Sequence, residues 1–380
     1  EAIPWLSFLK FRGSYGQVGN DQISGDRFPY LTLINDNAAS YWGYRERGIT
    51  ETVKGADNLQ WEVAKKLNFG IDAKFFHDKL SVTVDFFRDT RDHIFQDRVT
   101  LPKFVGMVTV PKSNVGKMHS YGSDGNFEFF HQINKDMSFT VRGNYTFSQN
   151  IIDYYEENKL PYDYLSVTGK PFNILRGYIA EGLFSSKEEI NTSADQSGFG
   201  RIRPGDIKYV DMNDDGVITE ADEGYIGGTK DPRMVYGFGG NLNYKQWDFS
   251  FFFQGSADAY RVIGGSDYFI PGSGQGVLGN VYDNYTDCWT EKNPSQDVFW
   301  PRLSESTNTN NNRASTWWKK DMSFLRLKSI ELGYSIPQSV TRKIHAKSIR
   351  FFVSGNNLFY LSKFKLWDPE LDTVDGLKYP

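Results

Sequence analysis

The stretch Lys66-Leu-Asn-Phe-Gly-Ile-Asp-Ala-Lys-Phe75 decides the fold. In it Leu67, Phe69, Ile71, Ala73 and Phe75 alternate with Lys66, Asn68, Gly70, Asp72 and Lys74. Successive side chains on a strand point to opposite faces, so the segment has one oily face and one wet, partly charged face. After a turn at His77, Asp78 and Lys79 the alternation resumes, with Leu80, Val82, Val84 and Phe86 set against Ser81, Thr83 and Asp85. The two halves form a hairpin. A soluble sandwich strand runs only about five or six residues, whereas a strand crossing a bilayer at a tilt needs about nine to eleven. The length here is that of a membrane strand.

The unit recurs. Phe139, Val141, Gly143, Tyr145 and Phe147 follow a turn across Asn134 to Asp136 that is preceded by Phe127 and Phe129. Tyr236, Phe238, Gly240, Leu242 and Tyr244 stand before Lys245 and Gln246, with Phe249, Phe251 and Phe253 after them. Ile330, Leu332, Tyr334 and Ile336 pair with Ile349, Phe351, Val353 and Gly355, and an unpaired strand at Leu9, Phe11, Gly13 and Tyr15 opens the chain. The pattern predicts an all-β chain of about nine spans in a transmembrane antiparallel β-barrel. Short turns fall near 77–79, 133–136, 245–246 and 337–346, and long connections near 17–62, 91–119, 150–232 and 257–321. In such barrels the short turns are periplasmic and the long loops extracellular. Bacterial single-chain barrels have even strand numbers, and an open edge in hydrocarbon leaves backbone groups unsatisfied. An odd count therefore predicts at least one strand missing beyond the C-terminus and more before the N-terminus.

Composition bounds the rest. Aromatics make up 16% of the 380 residues while mean hydropathy is −0.53, a combination expected when apolar and aromatic side chains are confined to an outer face and its rims. No run of about eighteen apolar residues exists, so no helix spans a membrane. The net charge of −4 and pI near 5.8 give no reason to expect nucleic acid as a partner. Cys288 is the single cysteine, which excludes a disulfide framework and a thiol metal site. Glu1 to Pro4 lack the features of a signal peptide, so the chain reads as mature or as a fragment of one architectural unit.

Several stretches resemble the SusC/RagA class of TonB-dependent outer-membrane transporters. They are Trp5-Leu-Ser-Phe-Leu-Lys-Phe-Arg-Gly-Ser-Tyr-Gly-Gln-Val-Gly-Asn20, Gly205-Asp-Ile-Lys-Tyr-Val-Asp-Met-Asn-Asp-Asp-Gly216 and Phe251-Phe-Phe-Gln-Gly255. Two more are Phe324-Leu-Arg-Leu-Lys-Ser-Ile-Glu-Leu-Gly-Tyr334 and Ile349-Arg-Phe-Phe-Val-Ser-Gly-Asn-Asn-Leu-Phe359. The resemblance implies a barrel of about twenty-two strands around an N-terminal plug. Residues 1–380 would then be its C-terminal part, without the plug, the TonB box and the last strand. It further implies an importer of oligosaccharides or peptides that works with a SusD-like surface lipoprotein outside and the TonB-ExbB-ExbD system inside, in contact with outer-membrane lipid and without enzymatic activity. The alternatives are a secreted Ca²⁺-containing all-β glycosidase and a soluble Ca²⁺-dependent carbohydrate-binding module.

The sharpest local motif is Asp211-Met-Asn-Asp-Asp-Gly-Val-Ile-Thr-Glu-Ala-Asp222. A Ca²⁺ loop places oxygen ligands at positions 1, 3 and 5, a Gly at 6, a backbone carbonyl at 7 and a carboxylate at 12. Asp211, Asn213, Asp215, the Val217 carbonyl and Asp222 fill these places, and Thr219 can act through a water. We expect a structural Ca²⁺ in the long loop 150–232; the competing reading is an Asp/Asn-rich turn without metal.

Gly272 to Gly276 lacks the Lys-Ser/Thr of a P-loop, and the five histidines show no zinc spacing. Glu156-Glu157 and Glu188-Glu189 read as solvated charge pairs, not as the two opposed acids of a glycosidase. Tyr41, Trp42, Tyr154 and Tyr155 are candidate ligand-stacking residues; for Tyr41 and Trp42 the interfacial girdle is an equal reading. Trp317-Trp318 reads as girdle, and Asn308 to Asn312 as a mobile outer loop.

Overall fold

The computed structural model describes residues 4–21, 28–41, 45–56, 58–102, 104, 109–264, 282–304, 308–371 and 373, with the backbone alone at 37–41 and 45–47. Among these residues seventeen strands follow in chain order. The first seven are β1 (Leu6–Asn20), β2 (Leu33–Tyr41), β3 (Arg45–Val53), β4 (Glu62–Phe75), β5 (Leu80–Asp97), β6 (Lys112–Asn134) and β7 (Met137–Tyr154). Four short strands and a long one come next: β8 (Ile174–Gly177), β9 (Ala180–Leu183), β10 (Ile207–Tyr209), β11 (Gly224–Thr229) and β12 (Met234–Tyr244). The last are β13 (Trp247–Ala257), β14 (Tyr260–Val262), β15 (Lys319–Asp321), β16 (Phe324–Ser335) and β17 (Arg350–Ser362). Nine of them share one sheet in the order β1-β4-β5-β6-β7-β12-β13-β16-β17, the expected spans. Each long strand lies beside the next long strand of the chain, as a string of hairpins requires. The chain divides into two compact units, Glu1–Phe129 with Thr146–Phe172 and Phe130–Tyr145 with Asn173–Pro380.

In the first unit the register fixes the two faces. Phe69 stands opposite Gly13 on β1 and Phe86 on β5, and Gly70 stands opposite Arg12 and Asp85. Phe11 stacks on Phe69 with centroids 6.2 Å apart. Phe11 is 61% and Leu67 55% exposed in this chain, a continuous apolar surface of the kind a bilayer covers. Eight residue steps from Leu67 to Phe75 measure roughly 26 Å along the strand, close to the apolar band of about 25 Å in outer-membrane barrels. Beyond it the same face turns charged: Leu67 stands opposite Arg88, and Lys65 pairs with Asp92 at 2.8 Å.

The opposite face carries ion pairs. Arg12 reaches Asp72 at 2.9 Å and, across β4, Asp85 at 2.7 Å. Gly70 makes that crossing possible: a Cβ there would lie 2.5 Å from Asp85 Oδ1 and 2.7 Å from Arg12 Cζ. The second unit repeats the device. Arg350 on β17 passes over Gly333 on β16 to Asp248 on β13 and also pairs with Glu331, and a Cβ at Gly333 would run into the Arg350 guanidinium. Its apolar face is aromatic, with Phe238 stacked on Phe253 at 5.2 Å and Trp247 beside Tyr334 at 4.8 Å.

Three connections differ from the sequence reading. The β5–β6 ladder continues to Asp97 opposite Lys112, far into the expected connection 91–119, through a bulge where His93 has φ +60°. Asp92, His93, Gln96 and Asp97 obey no two-sided alternation because this part of the hairpin lies beyond the apolar band. The loop 17–62 holds the hairpin β2–β3. The turn 337–346 holds the short helix α1 (Gln338–Thr341) and closes at His345 with φ +56°.

Candidate functional site

The large loops of the second unit form a packed body of their own. In β10 the alternation Ile207-Lys208-Tyr209 buries its first and last side chains and turns Lys208 off the core. Around Ile207 and Tyr209 gather Tyr178, Phe199, Ile218, Trp300 and Trp318, all buried. Trp318 therefore belongs to this core, where its indole N–H donates to the Asn311 carbonyl at 2.6 Å, and the girdle reading of Trp317-Trp318 is corrected. The partner of the Trp317 N–H is the Phe299 carbonyl at 3.1 Å.

The Asn308–Asn312 run is likewise not the mobile loop its composition suggests. Asn310 and Asn311 are each 1% exposed. The Asn311 side chain accepts from Ile207 N at 2.9 Å, the Asn310 amide donates to Ile207 O at 2.9 Å, and Gln196 accepts from Tyr209 N at 2.8 Å. These amides supply to the edge of β10 what a third strand would have supplied. Beneath them Asp206, fully buried, accepts from Arg203 N at 2.8 Å, Asn308 at 2.9 Å and Asn311 at 3.0 Å, and pairs with Arg302 at 2.9 Å. Burial pushes its carboxyl up, and Arg302 and these donors oppose the rise. Sequence reasoning missed this hub because a buried Asn and a solvated Asn are the same letter.

A cleft of about 510 Å³ opens beside β9 and β10. Its charged wall is Glu181, Glu189 and Lys208, with the ammonium 3.0 Å from Glu181 and 3.4 Å from Glu189. Gln296 builds the floor by clamping Leu183, accepting from its N–H at 2.7 Å and donating to its carbonyl at 2.8 Å. Glu189 also accepts from the Ser185 N–H at 2.8 Å and hydroxyl at 2.6 Å, contacts that hold its carboxyl below the usual range, while Glu181 raises Lys208. Glu189 is thus a fixed wall residue and not half of a solvated pair. Glu156, in the first unit, is 4% exposed and bound by Arg98 and Thr100. Burial raises it, but hydrogen bonds from the Thr100 hydroxyl and N–H and from Arg98 outweigh that, leaving it below the usual range.

The residues of the Ca²⁺-type motif close on one another. Asp211 accepts from Asp215 N at 3.3 Å and Gly216 N at 2.7 Å, and Asn213 accepts from Asp215 N at 3.2 Å. Asp215 accepts from Val217 N at 2.9 Å, and Asp214 and Gly216 take the positive φ values of +59° and +83° that the tight turn needs. Asp222, fully buried, accepts from Met212 N at 2.7 Å and Thr219 N at 2.8 Å. Among the described residues no three His, Cys, Asp or Glu side chains are gathered as a metal shell. A carboxylate has about four lone-pair sites, so each of these acids keeps acceptor capacity beyond its N–H bonds. Of the aromatic candidates, Tyr154 and Tyr155 are exposed at the end of β7, Tyr41 ends β2, and Trp42 lies outside the described residues, as does Gly272 to Gly276.

Long antiparallel spans with an apolar outer band and folded loops define an outer-membrane type of barrel chain. The chain belongs to the TonB dependent receptor-like, beta-barrel family, whose model matches residues 1–358. Its relatives are receptors of the TonB-dependent class, which are not enzymes, and the glycosidase and soluble-module alternatives fall with this membership. TonB-dependent receptor P3 of Formosa agariphila is 28% identical over 96% of the chain and 36% of its own length. TonB-dependent receptor SusC of Bacteroides thetaiotaomicron is 26% identical over 99% of the chain and again 36% of its own length. The chain thus spans little more than a third of these relatives. Among solved structures, the RagAB peptide importer in its open-open state superposes with a TM-score of 0.72 at 23% identity, covering 98% of the chain and 38% of that protein. The all-β barrel fold expected from the resemblance is therefore that of the family.

Proposed function

We propose that the complete protein carrying this chain imports oligosaccharides or peptides across the outer membrane of a Gram-negative bacterium, driven by TonB-ExbB-ExbD and assisted by a SusD-like lipoprotein. The chain would be the C-terminal part of the barrel, with the plug and last strand encoded outside it. The observation that carries this reading is the family membership across residues 1–358. The SusC and RagAB relatives suggest the partner, the name RagAB peptide importer supplies the peptide class, and the oligosaccharide class comes from the resemblance of the sequence to the SusC/RagA class. Deleting the gene should abolish growth on one glycan or peptide source, deletion of TonB should reproduce the defect, and a lipoprotein should co-purify. Growth on every such source unaltered by either deletion would refute the import reading.

Within this function Ca²⁺ would bind Asp211, Asn213, Asp215, the Val217 carbonyl and Asp222 and pin the loop. Asp211, Asn213 and Asp215 lie two to four residues apart in one turn, and a cation offsets the mutual repulsion of the two carboxylates. Binding would draw Asp222 toward the other ligands. Chelator should make the segment 205–223 protease-sensitive while the barrel persists, and Asp215→Ala should remove the effect. Identical cleavage with and without chelator would leave a plain polar turn.

A further inference from the structure

We infer that the cleft walled by Glu181, Glu189, Lys208 and Trp317 is a binding subsite for a neutral sugar ring. The inference rests on the import reading and narrows its ligand from oligosaccharide or peptide to oligosaccharide.

Three observations select the ligand. The first is size. About 510 Å³ lies within the range of small-molecule sites and admits one or two rings.

The second is charge. Lys208 bridges Glu181 and Glu189 at 3.0 and 3.4 Å, so the charges of the cleft are already paired with one another and an incoming ion gains by displacing a partner that is in place. A hydroxyl needs no such displacement, because it donates to a carboxylate and accepts from an ammonium at once. The groups have capacity to spare. Lys208 gives two of its three N–H bonds to the glutamates, and Glu181 meets it through Oε2, leaving Oε1 without a protein partner among the described residues. Thr316 accepts from Ala180 N at 2.8 Å and keeps its own hydrogen to donate.

The third is the apolar wall. Trp317 is among the residues that line the cleft, and its N–H is engaged by the Phe299 carbonyl at 3.1 Å, so what it offers a ligand is carbon surface and no donor. A pyranose has such a C–H face beside its ring of hydroxyls, and a flat aromatic wall is its complement.

The site is rigid where it needs to be. Gln296 locks Leu183 on both backbone groups, and Gly182 has φ +146° with its missing Cβ 2.9 Å from Gln296 Oε1. A larger residue at 182 would displace the floor.

The test measures binding to the complete protein in detergent, with cellobiose and maltose as neutral probes, glucuronate and glucosamine as charged ones, and tri-alanine and an Arg-containing tripeptide as peptides. We expect a neutral disaccharide to bind, Trp317→Ala to weaken it tenfold or more, and Lys208→Met and Glu181→Gln to weaken it several-fold each. Trp317→Phe, which keeps an aromatic wall, should recover most of the loss. Protease resistance of the loops identifies any variant that fails to fold. A peptide that binds better than every sugar and loses affinity in the same variants would overturn the ligand class. No binding by any probe, or sugar binding indifferent to all four variants, would overturn the site. In either case TonB-dependent growth persists if the import reading stands, and is absent if that reading is what failed.

Discussion

Replacing Asp206 by Ala should unfasten the outer-loop body without unfolding the membrane strands. Asp206 is fully buried, and the Arg302 side chain is 19% exposed, so the substitution strands a largely desolvated guanidinium that, among the described residues, keeps a bond to the Leu303 carbonyl at 3.3 Å. Breaking such a pair by removing one partner costs about 3–5 kcal/mol. Asn308 and Asn311 also lose their acceptor, at 2.9 and 3.0 Å. Local opening should rise by roughly a hundredfold to a few thousandfold, since each factor of ten corresponds to about 1.36 kcal/mol. Hydrogen exchange at the Ile207 and Tyr209 amides reads this directly, because both donate to side chains of the same network. Asp206→Asn, which keeps the shape and one acceptor oxygen, should fall between the two. Heat-modifiable electrophoretic mobility should stay that of a folded barrel in all three proteins. Unchanged exchange in Asp206→Ala would refute the view that this carboxylate joins the segment around β10 to the Asn-rich run.

Phe69→Arg puts a charge on the apolar face beside Phe11 and should cost about 2–4 kcal/mol if that position lies near mid-bilayer; Asn68→Arg, one residue away on the wet face, should assemble nearly as wild type. Equal amounts of folded protein in outer-membrane fractions would contradict the register. Gly70→Ala should displace Arg12 from above β4, so that a double-mutant cycle between Arg12→Ala and Asp85→Ala shows coupling in the otherwise wild-type chain and none in the Gly70→Ala background. Glu156 has a depressed carboxyl, so its contribution is complete above the ordinary value of 4.5 and is lost as pH falls through the lower folded value. Exchange of the Thr100 amide should accelerate over that acid range, and Glu156→Gln should flatten the dependence.

The strands were legible in the sequence and the loops were not, for one physical reason. A membrane strand has solvent of one kind on each face, so Leu67 to Phe75 must alternate and the letters record it. The end of the hairpin near Asp92 and Asp97 shows no alternation of a buried and an exposed face and leaves no period to read. The loop body is held by contacts far apart in the chain. Asn311 meets Ile207 across 104 positions, and Gln296 meets Leu183 across 113. Glycine is similarly mute: Gly70 and Gly333 read as breaks in a pattern until an arginine is seen lying across each. The Asp211–Asp222 motif was legible because its spacing is local, and its chain does fold back on itself as that spacing requires. The sequence by itself therefore determined the spans, their two faces and the family. Only the tertiary structure decided that Trp318 and Asn311 are core, that Glu156 and Glu189 are fixed, and that Lys208 stands between two carboxylates, because each depends on which distant segment takes water's place.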